Sequence, residues 1–337
     1  MSSFQPRPFR PLFRSPHLAT IAGNFWKRPE IEARWPVTDV HYEPEPGVRV
    51  LVRVQRPNGE PRGEVILVHG LEGSSESGYA VSMAAAALEK GFVVHRYNMR
   101  GCGASEWHPR ANYHSGQTGD LLLIARERKR VSGLPIFAVG YSLGGNMVLK
   151  LAGELGDEGR DVFEGVCAVS APIDLAASAD RIAAPSNFIY HRRFLKRLKD
   201  RVRRRNPLAP ELFPLEPLEG VKTIRQFDNE YTAKLFGFGT AEGYYRTQSS
   251  RQFLERIRIP AMLVHAKDDP IVPFSSYQHA AVGANPQVRF VEVDHGGHLG
   301  FLARGERRFW LDQLIEEWLG SLLDNVREAA PASGRRL

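Results

Sequence analysis

The sequence predicts an α/β fold, a mostly parallel central sheet flanked by helices, with a helical cap inserted after the sixth strand. Three observations point there. Six short apolar runs rich in β-branched residues recur along the chain. Helix-length segments lie between them, the alternation expected of a parallel sheet with crossover helices. One long stretch, 173–255, breaks the rhythm, being basic, proline-punctuated and without a strand pattern.

The apolar runs are 64–70, 91–98, 135–140, 165–172, 260–269 and 288–297. Their apolarity is continuous rather than alternating, which suits strands buried on both faces. Helices are expected over 75–90, 117–131, 143–155, 274–282 and 306–327. The last carries Trp310, Leu311, Leu314, Ile315, Trp318, Leu319, Leu322 and Leu323 on one stripe. We read one domain over 1–330, with a core of about 36–172 and 256–328, the cap at 173–255 and a disordered tail at 331–337. An insertion at 173 would sit over the strand ends.

Composition sets the broad class. Apolar residues make up 42% and charged residues 25% of the chain, so a soluble protein with a substantial core is expected. The net charge of +7 favours an anionic partner without naming it. The two cysteines, Cys102 and Cys167, form no C-x-x-C pair and fit a reduced, cytoplasmic setting. No run approaches a bilayer span. The N-terminus is basic and broken by prolines, unlike a signal peptide; the lack of an acid before Glu30 keeps a transit peptide open.

The stretch "PIFAVGYSLGGNMVLKLAGEL" is an apolar strand, then G-x-S-x-G, then a helical run. That context is what a nucleophile elbow requires. The turn is sharp, so residues two before and two after Ser142 must be small, and Gly140 and Gly144 meet this. Gly145 would let the helix start pack closely. The competing reading is a Gly-rich loop with a surface serine.

A serine hydroxyl needs a base, and the base needs an orienting acid. In this topology both follow the serine, acid first. "LVHAKDDPIVP" ends a strand in two aspartates and "VEVDHGGHLGF" ends the next in two histidines. The D-x-x-V-P spacing favours Asp269 over its rivals Asp268 and Asp174. His298, beyond two glycines, is favoured over His295, which is read as structural. The oxyanion needs two aimed donors. The expected ones are the Leu143 amide and the Leu71 amide in "VHGLEGSS", where Gly70 and Gly73 let the backbone bend.

These pieces resemble the α/β-hydrolase superfamily, and within it the YheT-like hydrolases, relatives of eukaryotic α/β-hydrolase-domain proteins acting on lipid esters. The likeness rests on "SPHLATI" (15–21), "HGLEGSSESGY" (69–79), "YNMRGCGAS" (97–105), "GYSLGGN" (140–146), "IRQFDNEYTAKLFGF" (224–238), "GYYRTQSS" (243–250) and "HGGHLGF" (295–301). It implies the triad Ser142, Asp269 and His298, and hydrolysis of short- to medium-chain acyl esters or monoacylglycerols. Where the family usually has "HLQT" this chain has "HLAT". Ala19, far in sequence from the triad, is expected to leave activity intact.

Other features are read more plainly. "HRRFLKRLKDRVRRR" (191–205) holds nine Arg or Lys, with Phe194, Leu195, Leu198 and Val202 on a narrow apolar stripe. It suits either a solvated face paired with local acids, which is favoured, or contact with an anionic membrane. Nucleic-acid binding is not expected, as no motif or aromatic interleaving supports it. Cys102 is expected to be a small buried side chain. His108 and His114 show no metal-ligand spacing, and neither metal nor cofactor is expected. Asp120 reads as a cap or first-turn acid, and Asp228, amid Arg225 and Arg246, as a structural ion pair. The same triad would serve thioester hydrolysis or acyl transfer, and a non-catalytic relative would keep only the fold. Epoxide hydrolysis and dehalogenation would want a carboxylate where Ser142 stands.

Overall fold

The computed structural model describes residues 4–329 apart from 106, 107, 109, 110, 306 and 307. The tail expected at 331–337 lies outside the described residues. An N-terminal helix, α1 (Pro16–Phe25), is followed by a hairpin of β1 (Thr38–Glu45) and β2 (Val48–Gln55). Then come β3 (Gly63–Val68), α2 (Gly78–Glu89), β4 (Phe92–Tyr97), α3 (Gly119–Ser132), β5 (Ile136–Tyr141), α4 (Leu143–Leu155), the single turn α5 (Gly159–Val162) and β6 (Gly165–Val169). The chain next leaves the sheet for α6 (Leu175–Ala183), α7 (Phe188–Arg205), α8 (Ile224–Phe227), α9 (Ala233–Leu235) and α10 (Ala241–Gln248). It returns through β7 (Ala261–Ala266), α11 (Ala280–Ala284), β8 (Val288–Val293) and α12 (Trp310–Ala329).

The eight strands form one sheet in the order β1-β2-β4-β3-β5-β6-β7-β8. β1 and β2 pair antiparallel, as do β2 and β4; every later pairing is parallel. The six expected strands are β3 to β8. β1 and β2 were not among them: Arg49 and Arg53 interrupt the apolar residues of β2, and β1 is an edge strand in which Tyr42 alone is buried. Its sequence therefore lacks the continuous apolarity that marks the inner strands, all of whose residues from β3 to β7 are buried. The helix expected at 274–282 is instead a 3₁₀ turn, Phe274–Gln278, and the short α11, with His279 extended between them.

Two cores flank the sheet. On one face, Val65, Leu67, Phe137 and Val139 meet α2 and the Trp310, Leu314, Trp318 stripe of α12. On the other, Ile66, Val68 and Ala138 meet α3 and α4, and this core runs on without a break into the helices of 173–255. Alternate residues of each strand thus feed opposite layers.

The apolar stripe of α7 belongs to this second core. Leu198 and Val202 are buried, and Phe194 and Leu195 pack against the cluster. That stripe is turned into the protein and is covered, so over 192–199 what α7 offers outward is its basic face. α7 also departs from a purely solvated face, since Arg201 and Arg205 are buried. Lys196 and Arg203 share a local acid on the helix, Asp200. Among the described residues no helix is long and apolar enough to cross a membrane.

Candidate active site

β5 ends in Tyr141, and Ser142 follows as the N-cap of α4. Its φ is +53°, a conformation that costs an L-residue energy and throws the side chain off the turn. The glycines around it are required by space. A Cβ on Gly140 would strike the Gly144 carbonyl, and one on Gly144 the Val68 and His69 carbonyls. A Cβ on Gly145 would come within 2.8 Å of the Ala171 Cβ.

His298 Nε2 lies 3.0 Å from the Ser142 hydroxyl. Its Nδ1 lies 2.9 Å from Asp269 Oδ2. With Nδ1 protonated, the imidazole donates to Asp269 and leaves Nε2 free to accept from the serine. The other oxygen, Asp269 Oδ1, accepts from the amides of Ile271 (2.8 Å) and Val272 (2.9 Å). Burial alone would push the Asp269 carboxyl up; the charge and N–H of His298 outweigh it and hold the group below its ordinary value.

Each of the two aspartates faces one of the two histidines. Asp268 Oδ2 faces His295 Nδ1 at 3.2 Å, and its Oδ1 accepts from the Gly297 amide at 2.8 Å. That outer pair braces the loop, whereas Asp269 and His298 are buried beside Ser142. Asp174 is elsewhere, capping α6 through the Ala177 amide and pairing with Arg251.

Leu143 opens α4, so its amide has no acceptor within the helix. Leu71 sits in the turn after β3, and its amide has no partner among the described residues. Both residues line the same cavity as Ser142. Neighbours hold the turn in place. His69 Nε2 accepts from the Met99 amide at 3.1 Å, and its Nδ1 donates to the Gly70 carbonyl at 2.7 Å. Burial drops the His69 pKa to about 4, so the ring stays neutral in that role. The Tyr79 hydroxyl accepts from the Gly70 amide.

Glu72, next in the turn, has φ +55°. Its amide donates to the Tyr113 hydroxyl, which in turn donates to Glu72 Oε1. Arg201 of α7 reaches the same carboxylate at 2.8 Å, with its guanidinium over the Tyr113 ring and 2.9 Å from Cys102 Sγ. A buried ion pair therefore ties the helical insertion to the residue beside the Leu71 amide. Cys102 is buried as expected, and burial pushes its thiol up.

The N-terminal helix is a further part of the site. The Thr20 hydroxyl accepts from the His298 amide at 2.9 Å. A Cβ on Gly300 would strike the Ala19 carbonyl, and one on Gly297 the Pro16 carbonyl. Ala19 is thus far from Ser142, Asp269 and His298 in sequence and against the His298 loop in space.

Two chambers meet at Ser142. An inner cavity of about 110 Å³ runs under the insertion, lined by Leu143, Ile182, Leu198, Phe213, Phe227 and Tyr231. An outer vestibule of about 380 Å³ reaches Ser142 and His298 between α1, α7 and the 70–79 turn. Asp228 borders the inner cavity. The ion pair expected of it does not form, because Arg225 turns to Asp180 and Glu242. Asp228 accepts instead from the Tyr245 and Thr232 hydroxyls, on a π-helical turn (Asp228–Thr232) between α8 and α9. Asp120 is a first-turn acid of α3, and buried, accepting from Arg100 Nε and Nη2. His114 packs among Phe236, Phe238 and Tyr244, and burial drops its pKa to about 3. The described residues contain no cluster of three or more His, Cys, Asp or Glu able to hold a metal ion.

The family profile described as alpha/beta hydrolase fold matches residues 64–304. The chain belongs to the α/β-hydrolase family. This α/β hydrolase is 36% identical over 266 residues to YheT of Escherichia coli (strain K12), an alignment covering 77% of each chain. It is 31% identical over 261 residues to a monoacylglycerol lipase of Saccharomyces cerevisiae, covering 74% of this chain and 57% of that one. It is 26% identical to the mouse phospholipase ABHD3, covering 79% of this chain and 66% of that one. Among solved structures, the Pyrococcus furiosus esterase Pf2001 superposes over 95% of this chain and 99% of its own, with a TM-score of 0.59 at 16% identity. At that identity the likeness is one of fold.

Proposed function

We propose that this α/β hydrolase is a serine esterase cleaving carboxylic esters through an acyl-enzyme on Ser142. One observation carries the reading: a hydrogen-bonded line from Ser142 through His298 to Asp269, at 3.0 and 2.9 Å, beside the Leu71 and Leu143 amides, which have no acceptor among the described residues. Nothing in binding alone requires that set. Relatives named as a lipase and a phospholipase support the reaction class.

Ser142 Oγ attacks the ester carbonyl while His298 Nε2 takes its proton. The Leu71 and Leu143 amides hold the oxyanion, with Leu143 at the positive end of α4 adding its dipole. Asp269 keeps the His298 tautomer and stabilises the imidazolium. The intermediate collapses to the acyl-enzyme as His298 protonates the leaving alcohol. Water then attacks as His298 takes its proton, and His298 returns that proton to Ser142 Oγ as the Oγ–carbon bond breaks and the acid leaves.

The inner cavity suits the acyl chain and the vestibule suits the alcohol. The substrates are short- to medium-chain acyl esters or monoacylglycerol-like lipids, and residues 173–255 act as the cap of a single hydrolase domain. A p-nitrophenyl ester series from acetyl to palmitoyl tests this. Turnover should peak at a short or medium chain. Absence of turnover at every length, in a folded protein, would overturn the esterase reading.

A further inference from the structure

Eight large apolar side chains are exposed among the described residues, and five of them lie at one place. Leu18, Ile21 and Phe25 form a single outward stripe on α1, spaced i, i+3 and i+7. Phe188 and Ile189 open α7. Exposure in this group ranges from 41% at Ile21 to 73% at Phe25. The two helices are joined at this point, since His17 Nδ1 lies 3.1 Å from the Tyr190 hydroxyl and the two rings stack.

Folding does not explain the stripe. The opposite side of α1, with Ala19, Thr20 and Gly23, already holds the histidine loop. Contiguous exposed apolar side chains mark an interaction surface. The charge around them names the partner. α7 presents Arg192, Arg193, Lys196, Arg197 and Lys199 outward or half-outward, with no acid before Asp200. The position matters too: Ile21 and Phe25 from α1, and Arg193 and Arg197 from α7, line the vestibule that ends at Ser142 and His298.

We infer that the α1 stripe and the start of α7 form a docking surface for an anionic lipid aggregate, set around the mouth of the vestibule. Apolar side chains enter the acyl boundary while the arginines and lysines meet the headgroups, the two-part attraction of interfacial helices. An ester would then pass from the lipid surface to Ser142 without crossing bulk water. Only this last step rests on the esterase reading. The surface differs from the amphipathic face of α7 itself, whose stripe is covered by the cap.

The test uses the full chain and sedimentation with two vesicle types, phosphatidylcholine alone and phosphatidylcholine mixed with phosphatidylglycerol. The variant is Leu18→Ser/Phe188→Ser/Ile189→Ser, three residues that line neither chamber. Wild type should bind the anionic vesicles at least about tenfold more tightly than the neutral ones, and the variant should lose at least about tenfold on the anionic ones. Turnover of soluble p-nitrophenyl acetate should be equal in the two proteins, which also shows that the variant folds. Wild type that fails to sediment with anionic vesicles would overturn the proposal, as would binding indifferent to the triple substitution or to lipid charge. A wild-type dimer that the variant dissolves would also overturn it, by giving the face to a second copy. Vesicle binding without ester turnover would sink the esterase reading and leave the docking surface standing.

Discussion

Ser142, Asp269 and His298 stand one, three and five residues beyond the ends of β5, β7 and β8. Arg201, Leu198 and Phe213 reach the same chamber from the insertion between β6 and β7. The first group is fixed by strand ends and short turns, so each position follows from residues nearby in the chain. The second is fixed by contacts between distant segments, such as Arg201 on Glu72 and on the Tyr113 ring. On the proposed mechanism, chemistry belongs to the sheet and fit to the insertion, the proposed cap. Substitutions in the two halves should therefore fail in different ways.

The largest effect should come from the sheet half. Ser142→Ala should cut kcat by about 10⁴–10⁶ while the fold, read by circular dichroism, is unchanged. Asp269→Asn should cost about 10³–10⁴ in kcat by favouring the wrong His298 tautomer. Asp268→Asn should cost under about tenfold, since Asp268 only braces the loop through His295 and Gly297. The reverse order would move the acid to Asp268.

Arg201→Ala tests the link between the halves. It leaves the buried Glu72 carboxylate without its cation, with the Tyr113 hydroxyl still donating, so stability should fall by about 3 kcal/mol by denaturant titration. A loosened Leu71 amide should lower kcat by about 10- to 100-fold with little change in KM, a loss felt in the transition state. If KM rises and kcat holds, Arg201 serves binding and the link is wrong.

In the cap half, Leu198→Trp should shift the best p-nitrophenyl ester toward shorter chains and Phe213→Ala toward longer ones. The change should be about 1–3 kcal/mol in relative kcat/KM per methylene gained or refused. An unchanged chain-length profile would take the acyl chain out of the inner cavity.

The smallest effect on catalysis is expected far from both halves. Asp312 of α12 is buried against the Ser82 hydroxyl, and burial raises its pKa to about 6. The folded state thus keeps a proton that the unfolded chain releases near pH 4. This stabilisation is full below about pH 4 and lost as pH rises through about 6, a difference of about 3 kcal/mol. Asp312→Asn should flatten that fall, measured as Tm against pH, and leave ester turnover unchanged.

The sheet half was legible in the sequence for the same reason that it is rigid. Apolar runs mark β3 to β7, fully buried along their length, and the elbow glycines sit where any Cβ would strike a carbonyl. Asp269 and His298 could be ranked above Asp268 and His295 because loop position, not long-range packing, separates them. The rest was written across the chain. Nothing near Thr20 says that its hydroxyl will receive the His298 amide, 278 residues away. Glu72 and Arg201 are 129 positions apart and look like ordinary surface charges until burial pairs them. Asp228 seemed to have arginine neighbours, but Arg225 found two better-placed acids. β1 hid for a different reason, since a half-exposed edge strand carries no continuous apolar signal.

The most direct test of the central claim is to trap the nucleophile. The full chain would be treated with a fluorophosphonate and the adduct located by peptide mass mapping, in wild type and in His298→Ala. Wild type should carry one modified residue, Ser142, and labelling should slow by about 10³-fold or more without the histidine. Stoichiometric labelling at another serine, or labelling of Ser142 that ignores His298, would contradict the claim.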